Sequence, residues 1–151
     1  MYELLLLRHA EAKPAGVDEG DFKRPLTAGG RHSAVAAAER LAALPWRPQR
    51  LLYSPALRTQ QTAALVRDAL KLEASGCIEV PELYLATPQA LRGALQAHHG
   101  KVQRLMIVGH NPGLSEWGGQ LAIRHALDSL PTAGYWLIDF APALWQQLIG
   151  Q

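Results

Sequence analysis

Cysteine is almost absent from this chain, since Cys77 is the only one in 151 residues. An intramolecular disulfide and a zinc site built from cysteines are therefore excluded, and a lone cysteine is typical of reducing compartments. Long hydrophobic runs are also missing, and Met1-Tyr2-Glu3 has no basic segment of the kind that opens a signal peptide. We therefore expect a cytoplasmic protein with no membrane association.

A strong excess of one charge is missing as well. Fifteen Lys and Arg residues face thirteen Asp and Glu residues, for a formal net charge of +2, and the basic residues are scattered along the chain. Nucleic-acid binding usually needs a basic patch, so we expect no nucleic-acid partner. The length, with 48% hydrophobic residues, suits a single domain over residues 1–151 with a core of its own.

What the chain does have is an alternation of short apolar runs and helix-start signals. Residues 4–7 and 105–108 are uniformly apolar, as strands buried on both faces of a parallel sheet are, and residues 51–53 and 78–80 are shorter candidates. Helix starts are predicted from a capping residue, followed in three of four cases by proline: Thr27, Ser54-Pro55, Thr87-Pro88 and Asn111-Pro112.

The C-terminal segments differ from this alternation. Residues 135–140 and 144–149, joined around Pro142, are predicted to form an antiparallel hairpin at a sheet edge. Together the patterns predict a three-layer α/β/α sandwich, with a mostly parallel central sheet and an antiparallel edge strand or hairpin.

Charged side chains follow three of the predicted strands at the point where each strand ends. The first junction carries Arg8-His9, the second leads into Arg58, and the third carries His110. Because the carboxyl ends of neighbouring parallel strands share one sheet edge, these side chains are expected to face one crevice. Arginine forks match phosphate oxygens, and helix N-termini add free N–H groups, so the sequence predicts a phosphoryl site.

These segments resemble the histidine phosphatase superfamily, named for its Arg-His-Gly motif, and within it the small SixA-type phosphohistidine phosphatases. The resemblance covers about residues 4 to 140, and its segments occur in the family's order. They are Leu6-Leu7-Arg8-His9-Ala10, Arg24-Pro25-Leu26-Thr27 with Gly30, Ser54-Pro55-Ala56-Leu57-Arg58-Thr59-Gln60-Gln61-Thr62, Pro81-Glu82-Leu83-Tyr84, and Val108-Gly109-His110-Asn111-Pro112-Gly113-Leu114. Ala10 stands where the family usually has glycine.

The resemblance implies a phosphoglycerate mutase-like fold and a role for each matching residue. His9 would be the nucleophile that takes the phosphoryl group, while Arg8, Arg58 and His110 would complete the phosphate pocket. The adjacent cations should lower the pKa of His9 and leave a neutral nitrogen free to attack. Arginines that neutralise the phosphoryl charge make a metal or other cofactor unnecessary, and they would repel a metal ion.

The proton donor for the leaving group is open. Glu82 matches the position of the family's acid, and Glu11, Asp18 and Asp21 in the first loop are rivals. A phosphohistidine substrate needs less acid help, because imidazole is a better leaving group than an alkoxide.

The expected function is therefore dephosphorylation of phosphohistidine in a protein such as a phosphotransfer domain. The alternatives are a phosphatase or mutase for small phosphomonoesters, a phospho-partner binding module with little turnover, and His9 and His110 as purely structural residues.

Overall fold

Five strands and five helices alternate along residues 1–17, 19–122 and 129–150, which are the residues that the computed structural model describes. The strands are β1 (Tyr2–Arg8), β2 (Arg50–Tyr53), β3 (Cys77–Glu79), β4 (Arg104–Gly109) and β5 (Tyr135–Phe140). The helices are α1 (Ala28–Ala43), α2 (Leu57–Leu70), α3 (Pro88–His98), α4 (Gly113–Leu121) and α5 (Pro142–Leu148). None of the helices within the described ranges is long and apolar enough to cross a membrane.

The strands form one sheet in the order β3-β2-β4-β1-β5. Strands β1 to β4 are mutually parallel, and β5 runs antiparallel beside β1 at the edge. The predicted fold class is therefore confirmed. In this order β2, β4 and β1 are direct neighbours, so the three junctions that follow them lie side by side.

The four leucines of β1 divide the core between the two faces of the sheet. Leu4 and Leu6 pack into one cluster with residues of α3, α4 and α5, whereas Leu5 and Leu7 pack into a second cluster with residues of α1 and α2. All four are 0% exposed. Alternating side chains point to opposite faces of a strand, so an unbroken apolar run is what helices on both faces require.

The predicted C-terminal hairpin is wrong in its second arm, because the residues after β5 form helix α5. Pro142 opens that helix, in a position where its missing N–H costs nothing. Trp145 and Leu148, three residues apart and both buried, cover one face. The Trp145 ring stacks on Tyr2 at 5.3 Å between ring centroids, which fixes α5 against β1.

Two predicted helix starts have different outcomes. Thr27 caps α1 as expected, since its hydroxyl accepts a hydrogen bond from Gly30 N at 2.8 Å. Ser54, in contrast, is not the cap of α2, which begins only at Leu57. The Ser54 hydroxyl oxygen instead forms a hydrogen bond of 2.7 Å with His110 Nε2. It also accepts a hydrogen bond from Ala56 N.

Candidate active site

A cavity of about 320 Å³ lies where the chain leaves β1 and β4 and enters α2. The four residues predicted to share a crevice, Arg8, His9, Arg58 and His110, all line it. The structure thus brings together side chains that are up to about a hundred residues apart in sequence. The remaining lining residues are Glu11, Ala12, Asp21, Arg24, Leu85, Asn111 and Thr132.

His9 is held in one tautomer by the backbone. Its Nδ1 donates to the carbonyl oxygen of Ala10 at 2.6 Å, which leaves Nε2 with a free lone pair. The pKa of His9 is lowered to about 4, chiefly by burial and also by the positive charges of Arg58, Arg8 and Arg24, whereas the hydrogen bond to Ala10 acts in the opposite direction. The predicted direction is correct, although burial rather than the neighbouring cations is the main cause. At neutral pH the ring is therefore uncharged, as a nucleophilic imidazole must be.

His110 joins Arg58 to Ser54. Arg58 NH2 lies 3.3 Å from His110 Nδ1, and because a guanidinium can only donate, that nitrogen is the acceptor. His110 Nε2 therefore donates to Ser54 Oγ at 2.7 Å. Burial lowers the pKa of His110 to about 3, with the charge of Arg58 as the second cause. A neutral His110 thus fixes the position of Arg58.

Arg8 is fixed by the segment before β5. Its NH1 donates to the carbonyl oxygen of Leu130 at 2.9 Å, and the same carbonyl accepts a bond from Asn111 Nδ2 at 3.0 Å. The Nε atoms of Arg8 and Arg58 are buried and have no acceptor among the described residues. A bound phosphoryl group would supply the hydrogen-bond acceptor that these two Nε atoms lack.

Asp21 is the centre of a polar network on the other side of the cavity. Its carboxylate lies 2.9 Å from Arg58 NH2 and 2.9 Å from Arg24 NH1, and it accepts a hydrogen bond from the Tyr84 hydroxyl. Its backbone oxygen also accepts from Arg58 NH1 at 2.8 Å. The Tyr84 hydrogen bond, followed by those of Arg24 and Arg58, holds the pKa of Asp21 well below its usual range. Asp21 is therefore ionised, and it orients Arg58.

The site thus combines a neutral histidine with arginines that line a cavity at the ends of the strands. Comparison of the sequence with known families agrees with this description of the site. Residues 4–87 match the histidine phosphatase superfamily, branch 1. The chain belongs to this superfamily. A chloroplastic protein of Arabidopsis thaliana is 28% identical to it in an alignment over 131 residues that covers 79% of this chain. The chain spans 58% of the length of that relative.

Solved structures of SixA proteins are similar to this chain. A structure assigned to the phosphohistidine phosphatase SixA of Agrobacterium tumefaciens has a TM-score of 0.83 at 30% identity and covers 91% of both chains. The protein histidine phosphatase SixA in complex with tungstate has a TM-score of 0.82 at 24% identity, over 93% of this chain and 90% of that one. The resemblance to a SixA-type histidine phosphatase is confirmed.

The candidate acids are distributed unevenly around the cavity. Glu82 is exposed and is not among the lining residues, so the structure does not bring it to His9. Glu11 does line the cavity, and its carboxylate accepts a hydrogen bond from Thr27 Oγ1 at 2.8 Å. Asp21 lines it too but is ionised by its three partners. Asp18 lies outside the described residues.

Several residues of the site were not predicted from the sequence. Ser54, Tyr84 and Leu130 hold His110, Asp21 and Arg8, yet only Ser54 and Tyr84 lie in segments that carry the family resemblance. Arg24 anchors its loop by donating to Lys13 O, and it also lines the cavity. For Ser54 and Tyr84 the available signal was a polar side chain within a segment that resembles the family. Leu130 gave no signal, because only its backbone oxygen takes part.

Gly30 shows why the loop after His9 stays in place. A side chain at this position would overlap the backbone oxygen of Glu11, so only glycine lets the start of α1 approach that loop. Thr27 N donates to the same oxygen at 3.0 Å, and Ala10 N donates to Thr62 Oγ1 at 3.1 Å. The backbone that bears His9 is therefore fixed from α1 and α2 at once, which holds the His9 ring in one position in the cavity.

Proposed function

We propose that this histidine phosphatase transfers the phosphoryl group of a phosphohistidine in a protein to His9 and then to water. The observation that carries the proposal is the state of His9: a neutral ring, with Nδ1 committed to Ala10 O and Nε2 free, beside Arg8 and Arg58. Neutral imidazole next to fixed cations is the arrangement that nucleophilic attack on a phosphoryl group requires.

In the first step His9 Nε2 attacks the phosphorus atom, and a new P–N bond forms. The P–N bond of the substrate breaks, and its electron pair goes to the departing imidazole. That imidazole leaves as a neutral ring when its other nitrogen carries a proton, so the enzyme need not supply a strong acid. Arg8 and Arg58 lie beside the phosphoryl oxygens and neutralise the charge in the transition state.

In the second step a water oxygen attacks the phosphorus of the phosphorylated His9. The P–N bond to Nε2 breaks, its electron pair returns to the ring, and inorganic phosphate carries away the oxygen of that water. His110 holds Arg58 in place through both steps. Because three arginines, Arg8, Arg24 and Arg58, supply the positive charge, the proposed mechanism requires no metal ion.

The acid groups around the cavity support a phosphohistidine rather than a phosphomonoester as the substrate. Asp21 is ionised and Glu82 lies away from the cavity, so neither is placed to protonate an alkoxide. The similarity to SixA structures points in the same direction. The partner we propose is therefore a phosphorylated protein of the phosphotransfer type.

One observation favours the alternative of a small phosphomonoester. Glu11 lines the cavity, and a carboxyl group there could donate a proton to an alkoxide oxygen. In that case a sugar phosphate or a similar small molecule would be hydrolysed by the same His9 chemistry.

The test is a substrate panel with the wild-type protein and the His9→Ala variant. We expect phosphate release from a protein phosphorylated on histidine, little from sugar phosphates, no change with chelator, and no turnover by the variant. Faster turnover of sugar phosphates would support the alternative. Binding of the phosphoprotein without turnover by either protein would show a recognition module and refute the proposal.

A further inference from the structure

Leu85, beside the cavity, has a backbone conformation that leucine disfavours. Its φ is +48°, the preceding Tyr84 has φ −64° and ψ 116°, and Ala86 N donates to Leu83 O at 3.3 Å. These values describe a type II turn over residues 83–86, in which the third position ordinarily holds glycine because φ is positive there. The chain therefore keeps a bulky side chain where glycine would cost less.

Packing in the core does not explain this leucine. Its side chain is 53% exposed, whereas Leu83 in the same turn is 0% exposed and belongs to the core. Leu85 instead lines the cavity that contains His9 and Arg58. A strained residue that persists at the mouth of a reactive site is evidence for a role in function.

The turn is also held firmly in its position. A side chain at Gly113 would overlap the carbonyl oxygen of Ala86, so the turn packs directly against the first residue of α4. On the other side, the Tyr84 hydroxyl donates to Asp21, and the Tyr84 ring meets His110 edge-on at 5.6 Å. Leu85 is thus presented at a fixed distance from the catalytic groups.

A second exposed apolar side chain, Phe22, packs on Tyr84, the residue before Leu85. The ring of Phe22 is 44% exposed and packs on Tyr84, with 5.1 Å between ring centroids. The cavity itself, at about 320 Å³, is at the small end for ligand sites. A group attached to a phosphorylated imidazole would therefore extend to this mouth, next to Leu85.

We propose that Leu85 is a specificity-determining residue whose side chain contacts the apolar protein surface around the phosphohistidine. This inference rests on the proposed function and adds to it the residue that separates a protein substrate from a small one. The phosphoryl group would lie on Arg8 and Arg58, while Leu85 meets the part of the substrate that only a protein has.

The test compares the wild type with Leu85→Gly on two substrates, a protein phosphorylated on histidine and phosphoramidate itself. We expect the ratio of kcat/KM for the protein to that for phosphoramidate to fall about tenfold, chiefly through KM, as is typical when an apolar contact to the substrate is lost. The thermal midpoint of the variant should equal or exceed that of the wild type, because glycine relieves the positive φ.

Lys71 and Lys101 provide matched controls. Both are exposed, both have positive φ (56° and 60°), and neither lines the cavity. Lys71→Gly and Lys101→Gly should relieve the same kind of strain and leave the substrate ratio unchanged.

The outcomes separate the two proposals. An equal effect of Leu85→Gly on both substrates, or no effect on either, overturns the role of Leu85 and leaves the phosphohistidine phosphatase intact. If the wild type hydrolyses no phosphohistidine protein, the proposed function fails first, and the role of Leu85 fails with it.

Discussion

Acidification from pH 8 to pH 5 should destabilise this protein strongly. His9 and His110 are buried as neutral rings, with pKa values of about 4 and about 3 against an ordinary value of 6.5. As the pH falls through 6.5, the unfolded chain takes up protons at both positions while the folded protein does not. The free energy of unfolding therefore decreases with falling pH until the folded-state pKa values are reached.

The size of the effect follows from linkage. At pH 5 each of the two histidines should cost about 2 kcal/mol relative to pH 8, or about 4 kcal/mol for the pair. That is a large part of the roughly 5–15 kcal/mol by which a domain is usually stable. The lowered pKa of Asp21 gives a contribution that is present above 3.8, its ordinary value, and is lost only below it. It is therefore constant between pH 8 and pH 5 and adds nothing to the change in stability over that range.

The assay is urea unfolding at a series of pH values for the wild type, His9→Gln and His110→Gln. Each variant should lose about 2 kcal/mol less than the wild type between pH 8 and pH 5, whatever its absolute stability. His32→Gln is the control, because His32 is exposed on α1. If both site variants keep the full pH dependence of the wild type, the histidines are not buried neutral groups and the reasoning fails.

Two further predictions concern individual side chains. Arg58→Lys should lower kcat by about a hundredfold, because one ammonium group cannot replace the bonds to Asp21 and His110 that place the guanidinium in the cavity. Steady-state kinetics with a thermal-shift control would check this, and an unchanged kcat would contradict it. Glu11→Gln should leave the rate of hydrolysis of a phosphohistidine protein within about threefold of the wild type. Glu82→Gln, at an exposed position, is its matched control. A loss of about a hundredfold confined to Glu11→Gln would make Glu11 the proton donor and favour the monoester alternative.

The part of the fold that holds the site could be predicted from local patterns. The apolar runs of β1 and β4 are long and uniform, and the charged residues that follow them had to share an edge once the strands were parallel neighbours. The error at α5 has a local cause as well. Trp145 and Leu148 suit a helix face, but a short apolar segment after a strand also suits a hairpin.

The supporting contacts were beyond sequence reasoning because they join distant segments. Asp21 meets Arg58 across 37 positions and Tyr84 across 63, so nothing near Asp21 in the chain marks it as the residue that orients Arg58. Glu82 matched the family position of an acid, yet it is the neighbouring Leu85 that lines the cavity. The positive φ of Leu85 was equally hidden, because leucine gives no turn signal.

The central claim is that His9 Nε2 carries the phosphoryl group during turnover. The most direct measurement mixes the protein with a substrate labelled on its phosphohistidine, stops the reaction in alkali within milliseconds, and locates the label by mass spectrometry. We expect a transient phosphohistidine at His9, absent from His9→Ala, which should also release no phosphate. Full turnover by His9→Ala, or label on a different residue, would contradict it.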